Sequence, residues 1–228
     1  MDSLEAYSRA FNHVEVNTTF YQVPPSDMVR SWRDRVPKDF QFVVRCHRSI
    51  THAHHFDPNS HVLNRMAEMA EIVRSLGADA LHFLTPPTFQ FERQHVEDFT
   101  TLLDSTSLQG IDLVLEARSY SGRSIPRLLK NLLEDRGIVH CVDLTKEEPQ
   151  VESPLLYTRL FGKGYHTVYQ FSDEDLDEIY KRGTSRDYRK AIFTFHGVRM
   201  YSDAGRFLSY VKKKGLPVTQ ARGQKRLF

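Results

Sequence analysis

A parallel α/β fold is the fold class that the sequence predicts, and three observations support it. Short apolar runs rich in β-branched and aromatic residues alternate along the chain with segments of helical periodicity. Seven such runs occur, each followed by a helix or a long connection, as in parallel sheets with helical crossovers. A further helix precedes the first run, which points to a missing strand before it, because eight β-α units close a barrel. The alternation by itself fits both a barrel and an open doubly wound sheet.

The individual elements follow from apolar runs and helix signals. The predicted strands are 13–21, 40–46, 79–84, 111–117, 138–143, 155–161 and 191–196. The predicted helices are 3–11, 26–35, 60–76, 93–106, 124–135, 173–183 and 203–214. Ser172 to Asp175 fits a capping box at a helix start, and Gly77 and Gly215 lie where helices should end.

Composition limits the class of protein further. The 228 residues are 40% hydrophobic and 26% charged, which suits a soluble globular domain. The net charge of +2 says little about partners on its own, because a committed nucleic-acid binder usually shows a stronger local excess of basic residues. Cys46 and Cys141 lie in apolar runs, so reduced thiols are expected. No signal peptide and no run of about 18 apolar residues is found, which predicts a cytoplasmic protein without a membrane partner. We expect one domain over residues 1–216 and a basic tail over 217–228.

Polar residues gather at the predicted C-terminal ends of the strands, where β-α folds carry their chemistry. They are Glu15 and Asn17, Arg45 and His47, His82, Glu116 and Arg118, Asp143, Arg159, and His196. Three of these pairs are spaced i,i+2, so the members of a pair share a face if the strand stays regular. Because a buried charge costs several kcal/mol unless it is paired, we expect the set to converge on one polar pocket. The alternative is that ion pairs simply brace the strand ends.

Five stretches of the chain carry a family resemblance. FNHVEVNTTFYQVPP, FQFVVRCHRSITH, LHFLTPPTF, LVLEARSYS and LYTRLFG resemble, in order, the motifs of domain of unknown function seventy-two, the YecE-like family, over about residues 7 to 214. The resemblance implies a TIM-barrel-like parallel (β/α) barrel and no established activity. Of the usual strands, seven are visible and the first is missing. The residues that match its motifs are Glu15, Asn17, Thr19, Tyr21, His52, Pro87, Glu116, Arg118, Arg159 and Gly162.

The chain departs from the family pattern in three places. Members usually begin with a glycine-rich strand, whereas this sequence begins at the following helix. This predicts either an open seven-stranded barrel with a gap between the first and last visible strands or a chain start assigned downstream of the true one. Members often have glutamine where His82 stands, and asparagine near the last strand end, where FTFHG places His196. The extra histidines are consistent with a subfamily that binds another ligand.

Three arginines favour an anionic or phosphorylated ligand. Arg45, Arg118 and Arg159 could converge, and guanidinium groups bind carboxylate and phosphate through a planar fork. The sequence FGKG follows the strand that would be seventh in a full barrel, a common position for phosphate sites. Its first glycine, Gly162, would let backbone amides approach the ligand, and Lys163 would add charge.

The leading hypothesis is therefore an enzyme that binds a small anionic ligand at its strand ends, with Glu15 or Glu116 as the acid or base. The catalytic candidates are Glu15, Asn17, Glu116 and His82. The ligand-binding candidates are Arg45, His47, Arg118, Asp143, Arg159, Gly162, Lys163 and His196. The reaction stays open between hydrolysis and isomerisation, and the cofactor is unknown.

Two alternatives remain open. A metal-dependent hydrolase or isomerase is one, because carboxylates and histidines at the strand ends are ligands for divalent metals, but the arginines would repel a cation and no metal ligand is assigned. The other is a nucleic-acid-associated protein that docks on a sliding clamp. The tail ends in Gln224-x-x-Leu227-Phe228, which is similar to the short peptides that bind sliding clamps.

Overall fold

The structure is a computed structural model that describes residues 3–164 and 168–218. The described residues fall into two compact units, one running through Ser119 and the other within Tyr120–Val218. All seven predicted strands are present. The tail from residue 219 onward, with its clamp-like sequence, lies outside the described residues, so clamp docking stays a prediction. None of the helices described is both long and apolar enough to cross a membrane.

The first unit contains four strands and five α-helices in its described part. Strands β1 to β4 are His13–Val16, Gln41–Arg45, Ala80–Leu84 and Asp112–Glu116. Helices α1 to α5 are Ser3–Ala10, Thr18–Tyr21, Ser26–Asp34, Ser60–Leu76 and Arg93–Asp104. A π-helix, Ser49–Ala53, follows β2, and a 3-10 turn begins at Arg118. The predicted bounds of α4 are confirmed, because the Asn59 side chain accepts from Val62 N at its start and Gly77 ends it in the left-handed region, with φ 57°.

The register of the first sheet places the polar strand residues on one face. The strands are parallel in the order β1-β2-β3-β4, and Glu15 lies opposite Val43, Arg45 opposite His82, and Leu84 opposite Glu116. Directly opposed residues share a face and side chains alternate along a strand. The polar residues that therefore project from the same face are Glu15, Arg45, His82 and Glu116. The opposite face carries the buried apolar side chains of Phe42, Val44, Leu81, Phe83 and Leu115.

The predicted strand 13–21 is wrong beyond Val16, because Thr18–Tyr21 is helical. Threonine, phenylalanine and tyrosine favour strands, but tertiary contacts override this propensity here. The buried Thr19 hydroxyl lies 2.8 Å from the carbonyl oxygen of Val16 and 2.7 Å from that of Arg45. The Thr19 hydroxyl, which has one proton to donate, thus contacts carbonyl oxygens at the ends of two neighbouring strands.

This early end of the strands also changes the argument from i,i+2 spacing. Asn17, His47 and Arg118 all lie beyond the last residue of their strands, at Val16, Arg45 and Glu116. The prediction that the two members of each pair share a face required a regular strand through both residues, and none of the three pairs meets this requirement. Any contact between pair members and the strand residues arises from turns, not from strand alternation.

The second unit has three strands and three helices in its described part. Strands β5 to β7 are Val139–His140, Leu155–Leu160 and Lys190–Phe195, and helices α6 to α8 are Arg127–Arg136, Asp173–Gly183 and Met200–Lys213. β6 and β7 pair in parallel over six residues. The predicted capping box of Ser172 and Asp175 at the start of α7 is confirmed. Helices α7 and α8 close over a core that contains Leu160, Phe171, Ile179, Phe195 and Phe207.

Candidate functional site

A buried histidine between two carboxylates is the central feature of the first unit. His82 on β3 is fully buried, and its Nδ1 lies 3.3 Å from Oε2 of Glu15 on β1. Its Nε2 lies 3.4 Å from Oε2 of Glu116, the last residue of β4. The shared face set by the strand register brings the three side chains together across the sheet.

Each nitrogen of the His82 ring faces a carboxylate oxygen. A neutral imidazole donates from only one nitrogen, whereas an imidazolium donates from both. Two carboxylates on the two nitrogens of His82 are therefore both satisfied only when the ring is cationic or one carboxyl group carries a proton. The Glu116 side chain is 13% exposed and that of Glu15 is 5% exposed. Glu116 is consequently the carboxylate that a ligand can reach more readily.

Arg45 extends the polar face beside this centre. Its Nη1 donates to Asn17 Oδ1 over 3.0 Å, and its guanidinium carbon lies 4.1 Å from the centroid of the Phe20 ring. A cation over an aromatic face is stabilised by the ring quadrupole. Asn17 and Phe20 both belong to the segment that turns helical after β1. The unexpected helix α2 thus holds the arginine in place from two sides.

His52 lies in backbone of unusual conformation. It belongs to the π-helix Ser49–Ala53, a form that is rare and often occurs at functional sites. His55 and Phe56, just beyond, have φ of 48° and 70°, a left-handed conformation that is uncommon for residues other than glycine. The His52 ring meets Phe20 edge-on at 5.1 Å between centroids, and its Nδ1 lies 2.8 Å from the Thr51 hydroxyl. The contacts with Phe20 and Thr51 position this imidazole.

The surroundings of His52 are positively charged. Burial lowers the pKa of the His52 imidazole to about 4, and Arg45, Arg118, Arg48 and, least, His55 add to this shift. His52 is therefore neutral near pH 7. Arg48 and Arg118 are both exposed, and within the described part of the chain no carboxylate forms an ion pair with either.

His47 has a different position from the one its spacing predicts. Its Nδ1 lies 2.8 Å from the Ser49 hydroxyl, and its Nε2 lies 3.3 Å from the carbonyl oxygen of Tyr21. Burial, followed by the charge of Arg65, lowers the pKa of the His47 imidazole. These contacts connect the turn after β2 to the end of α2, and a structural role accounts for them. Ligand binding by His47 stays a prediction.

The remaining predicted site residues lie in the second unit. Two of them, Asp143 and Lys163, form hydrogen bonds or ion pairs with residues of that unit. Asp143 Oδ1 accepts from the amide and the hydroxyl of Thr145, and its Oδ2 accepts from the amide of Phe161 over 3.1 Å. Lys163 Nζ lies 2.8 Å from Glu178 and 3.0 Å from Asp175, and hydrogen bonds to these two acids raise the pKa of its ammonium group.

Arg159 and His196 flank an aromatic ring in the second unit. The Arg159 guanidinium carbon lies 5.2 Å from the centroid of Phe161, and His196 stacks on that ring with 4.7 Å between centroids. His196 Nε2 also lies 3.1 Å from the Thr194 hydroxyl. Gly162 has φ of 82°, and a Cβ there would lie 2.0 Å from the ring of Tyr169. A side chain at this position would therefore clash with the Tyr169 ring, which explains the glycine. Contact between Gly162 and a ligand stays a prediction.

The structure brings together the predicted residues Glu15, His82 and Glu116, and it joins Asn17 to Arg45. A single pocket that would also include Asp143, Arg159 and His196 stays a prediction. Sequence reasoning did not assign Arg48 and His52 to the site. His52 falls in a motif of the family resemblance, and that match was the available signal. Arg48 lies in the same stretch, FQFVVRCHRSITH, but is not one of the residues that match the motif.

Parallel strands, helical crossovers and a cluster of acidic and basic side chains on the sheet define a β/α protein with an enzyme-like polar site. The chain belongs to the family described as protein of unknown function DUF72, whose model matches residues 1–225. It is 39% identical over 72 residues to the UPF0759 protein YecE of Escherichia coli K12, a match that covers 30% of this chain and 26% of that protein. The chain thus spans about a quarter of the length of this curated relative in the match.

Solved structures show the same fold. A DUF72 family protein of Enterococcus faecalis V583 is similar with a TM-score of 0.76 and 17% identity, over 100% of this chain and 93% of that one. The D-psicose 3-epimerase of Clostridium cellulolyticum H10, in a structure with D-tagatose, has a TM-score of 0.63 and 10% identity, over 93% of this chain and 94% of the epimerase. These likenesses confirm the predicted fold class, an α/β TIM-barrel-like fold, and the match of the family model confirms the predicted family.

Proposed function

We propose that the first unit contains the acid–base centre of an isomerase-type enzyme. In this centre Glu116 removes a proton from a small anionic molecule and returns it. The observation that carries this proposal is the fully buried His82 between Glu15 and Glu116. A buried imidazole with a carboxylate at each nitrogen is suited to pass a proton to the more exposed acid, which supports a role in general acid–base catalysis.

Each member of the centre has a role in this proposal. Glu116, the most exposed of the three, removes a proton from a carbon next to a carbonyl group. The C–H electron pair forms a carbon–carbon double bond while the carbonyl π pair moves onto the oxygen. The protonated carboxyl group then returns its proton to the former carbonyl carbon, and the hydroxyl proton of the first carbon moves to the former carbonyl oxygen, so that the carbonyl group changes place. His82 holds or supplies a proton behind Glu116, and Glu15 fixes the orientation of the ring, as a carboxylate does in other acid–base relays.

Arg45 is suited to the charge that such a reaction develops. It lies opposite His82 in the strand register on the same face, and Asn17 and Phe20 hold its guanidinium. A preorganised cation stabilises an enolate oxygen far better in a partly buried site than in water. The fold likeness to D-psicose 3-epimerase agrees with isomerase chemistry on this scaffold, although fold alone does not assign a reaction.

The experiment is a test of solvent deuterium incorporation. The purified protein is incubated in D2O with a panel of phosphorylated and carboxylated hydroxyketones, and incorporation at carbon is followed by mass spectrometry. We expect incorporation by the wild type and a loss of about 100-fold or more for Glu116→Gln, the usual range for removal of a general acid or base. Glu97→Gln on the exposed face of α5 is the matched control and should retain the wild-type rate.

The same deuterium assay distinguishes a metal-dependent enzyme from one that acts without a metal. His82 and Glu116 supply nitrogen and oxygen atoms of the kinds that divalent metals accept. Incorporation that disappears with a chelator and returns with Mn2+ or Zn2+ would favour a metal-dependent isomerase. Incorporation of wild-type size in Glu116→Gln would contradict the proposed role of Glu116 in either form.

A further inference from the structure

A serine and a histidine are in close contact in the turn that follows β2. The Ser49 hydroxyl oxygen lies 2.8 Å from Nδ1 of His47, and the Ser49 amide donates to the same nitrogen over 3.2 Å. On the other side of the ring, Nε2 of His47 lies 3.3 Å from the carbonyl oxygen of Tyr21. The imidazole therefore lies between a hydroxyl group and a backbone carbonyl group.

These contacts determine which nitrogen of the neutral ring carries the proton. A carbonyl oxygen can only accept, so Nε2 of His47 donates to Tyr21. A backbone amide can only donate, so Nδ1 accepts from Ser49 and carries the lone pair of the ring. Because this lone pair also faces the Ser49 hydroxyl oxygen at 2.8 Å, the hydroxyl group donates its proton to the ring.

Backbone hydrogen bonds hold the turn in place around the pair. Ile50 is fully buried, and its amide donates to the carbonyl oxygen of His47 over 3.1 Å. The carbonyl oxygen of Ser49 accepts from the amide of His54 over 3.0 Å. The side chains of His47 and Ser49 themselves are only half-buried. The pair is therefore fixed in geometry and accessible to a small molecule from solvent.

The charge state of His47 is suited to a base. Burial, followed by the charge of Arg65, lowers the pKa of the His47 imidazole, and Arg48 lowers it further. The carbonyl group of Tyr21 and the charge of Glu68 act in the opposite direction, but the pKa stays below its ordinary value. The lone pair on Nδ1 is therefore available at neutral pH. A hydroxyl group that donates to a neutral base, which a third group orients in turn, is the arrangement of an activated nucleophile.

We propose that Ser49 and His47 form a nucleophile–base pair, a second reactive site of the first unit that accepts acyl groups from carboxylic esters. The Ser49 oxygen attacks the ester carbon, the carbonyl π pair moves onto its oxygen, and the hydroxyl proton passes to Nδ1 of His47. The adduct then expels the alkoxide, which takes this proton and leaves as an alcohol. Water that loses a proton to Nδ1 attacks the acyl group and releases the carboxylic acid, and the ring returns the proton to the Ser49 oxygen. This activity does not depend on Glu116.

Covalent labelling of the whole protein tests the nucleophile. The probe is diisopropyl fluorophosphate: the Ser49 oxygen attacks phosphorus, fluoride leaves with its bonding pair, and the hydroxyl proton passes to His47. Peptide mass spectrometry should find the adduct at Ser49 in the folded protein and not in protein unfolded in urea. An unlabelled protein, or a label spread over several serines according to their exposure, would overturn the proposal.

Matched variants test the base. Ser49→Ala should abolish the label, and His47→Asn should slow labelling about 100-fold or more, because asparagine can accept a hydrogen bond but cannot take up the proton. Ser75→Ala is the matched control and should leave the rate unchanged. Ser75 is also half-buried, and its hydroxyl donates to Oε1 of Glu71 over 3.2 Å. Labelling of His47→Asn at the wild-type rate would overturn the role of His47.

The pH dependence of labelling tests the base in the wild type, whatever the stability of the variants. The rate should increase with pH as His47 loses its proton and reach a plateau before pH 7, because the pKa of this imidazole lies below its ordinary value. A rate that keeps increasing above pH 8 would show that the serine ionises without a base and would overturn the pair.

Hydrolysis of p-nitrophenyl acetate tests the complete reaction. The wild type should release p-nitrophenolate faster than Ser49→Ala, and an acid quench should trap the acetyl group on Ser49. Equal rates of release by the wild type and Ser49→Ala would overturn the esterase activity.

Discussion

The polar residues at the strand ends of the two units are used differently. In the first unit His82 contacts two carboxylates on other strands, and Arg48 and Arg118 have no described carboxylate partner. In the second unit Asp143 accepts hydrogen bonds from two backbone amides, and Lys163 is paired with two acids. The same β-α architecture thus carries a histidine between two carboxylates and exposed arginines without a described ion pair in one unit, and hydrogen-bonded or ion-paired side chains in the other.

The comparison shows that position at a strand end does not identify a functional residue. Functional groups need charge or protons that a ligand can use, whereas structural groups already have their partners within the fold. Substitutions in the second unit should therefore lower the free energy of unfolding, and equivalent substitutions in the first unit should mainly affect ligand binding and catalysis.

The largest effect on stability is expected at Gly162. An alanine there would adopt a left-handed conformation and place its Cβ 2.0 Å from the ring of Tyr169. Backbone strain and overpacking together should lower the free energy of unfolding by about 2–4 kcal/mol. Gly122→Ala is the matched control, since Gly122 has φ of 71° and nothing within 4 Å of the added Cβ. It should lose only about 1 kcal/mol in urea unfolding. Equal losses in the two variants would show that contact with Tyr169 does not constrain this loop.

A pair of acid-to-amide substitutions compares the two units directly. Asp143→Asn replaces an oxygen that accepts a hydrogen bond with a group that donates one, and should lower the free energy of unfolding by about 2–3 kcal/mol. Glu116→Gln removes one of two carboxylates around His82 and should leave the free energy of unfolding unchanged or raise it. Denaturant unfolding of both variants measures the difference. A larger loss in Glu116→Gln than in Asp143→Asn would reverse the assignment of structural and functional roles.

A pH effect is expected from His140 in the second unit. Burial lowers the pKa of this imidazole from 6.5 to about 4, and its Nδ1 accepts a hydrogen bond from the amide of Gln150. Between these two pKa values the unfolded chain binds a proton that the folded protein does not, so stability falls as pH decreases. Titration of His140 should therefore make the free energy of unfolding roughly 2 kcal/mol lower at pH 5 than at pH 7.

His140→Asn tests this effect, because the asparagine oxygen can replace Nδ1 as an acceptor and does not titrate. The free energy of unfolding, measured in urea at several pH values, should decrease less steeply below pH 6.5 in His140→Asn than in the wild type. Parallel pH profiles for the two proteins would show that His140 does not titrate in the predicted way.

Much of the fold could be predicted from the sequence because it depends on local pattern. The predicted helix 60–76 agrees with the structure at both ends, and Gly77, which the sequence indicates as the end of the helix, adopts the left-handed conformation of a C-terminal cap. The segment 18–21 could not be predicted in this way. Its helical conformation depends on hydrogen bonds from Thr19 to the carbonyl of Arg45, 26 residues away, and strand propensity carries no information about such a contact.

The sequence by itself determined the order of strands and helices and the presence of Glu15, His82 and Glu116 near the ends of their strands, because hydrophobic periodicity is a local property. The tertiary structure alone decided that the two carboxylates meet opposite nitrogens of one imidazole, since that depends on strand register. It also decided that His52 and Arg45 both contact the ring of Phe20, which the sequence spacing does not indicate. Charge and proton position depend on distances of a few ångströms between residues far apart in the chain, and no local pattern encodes these distances.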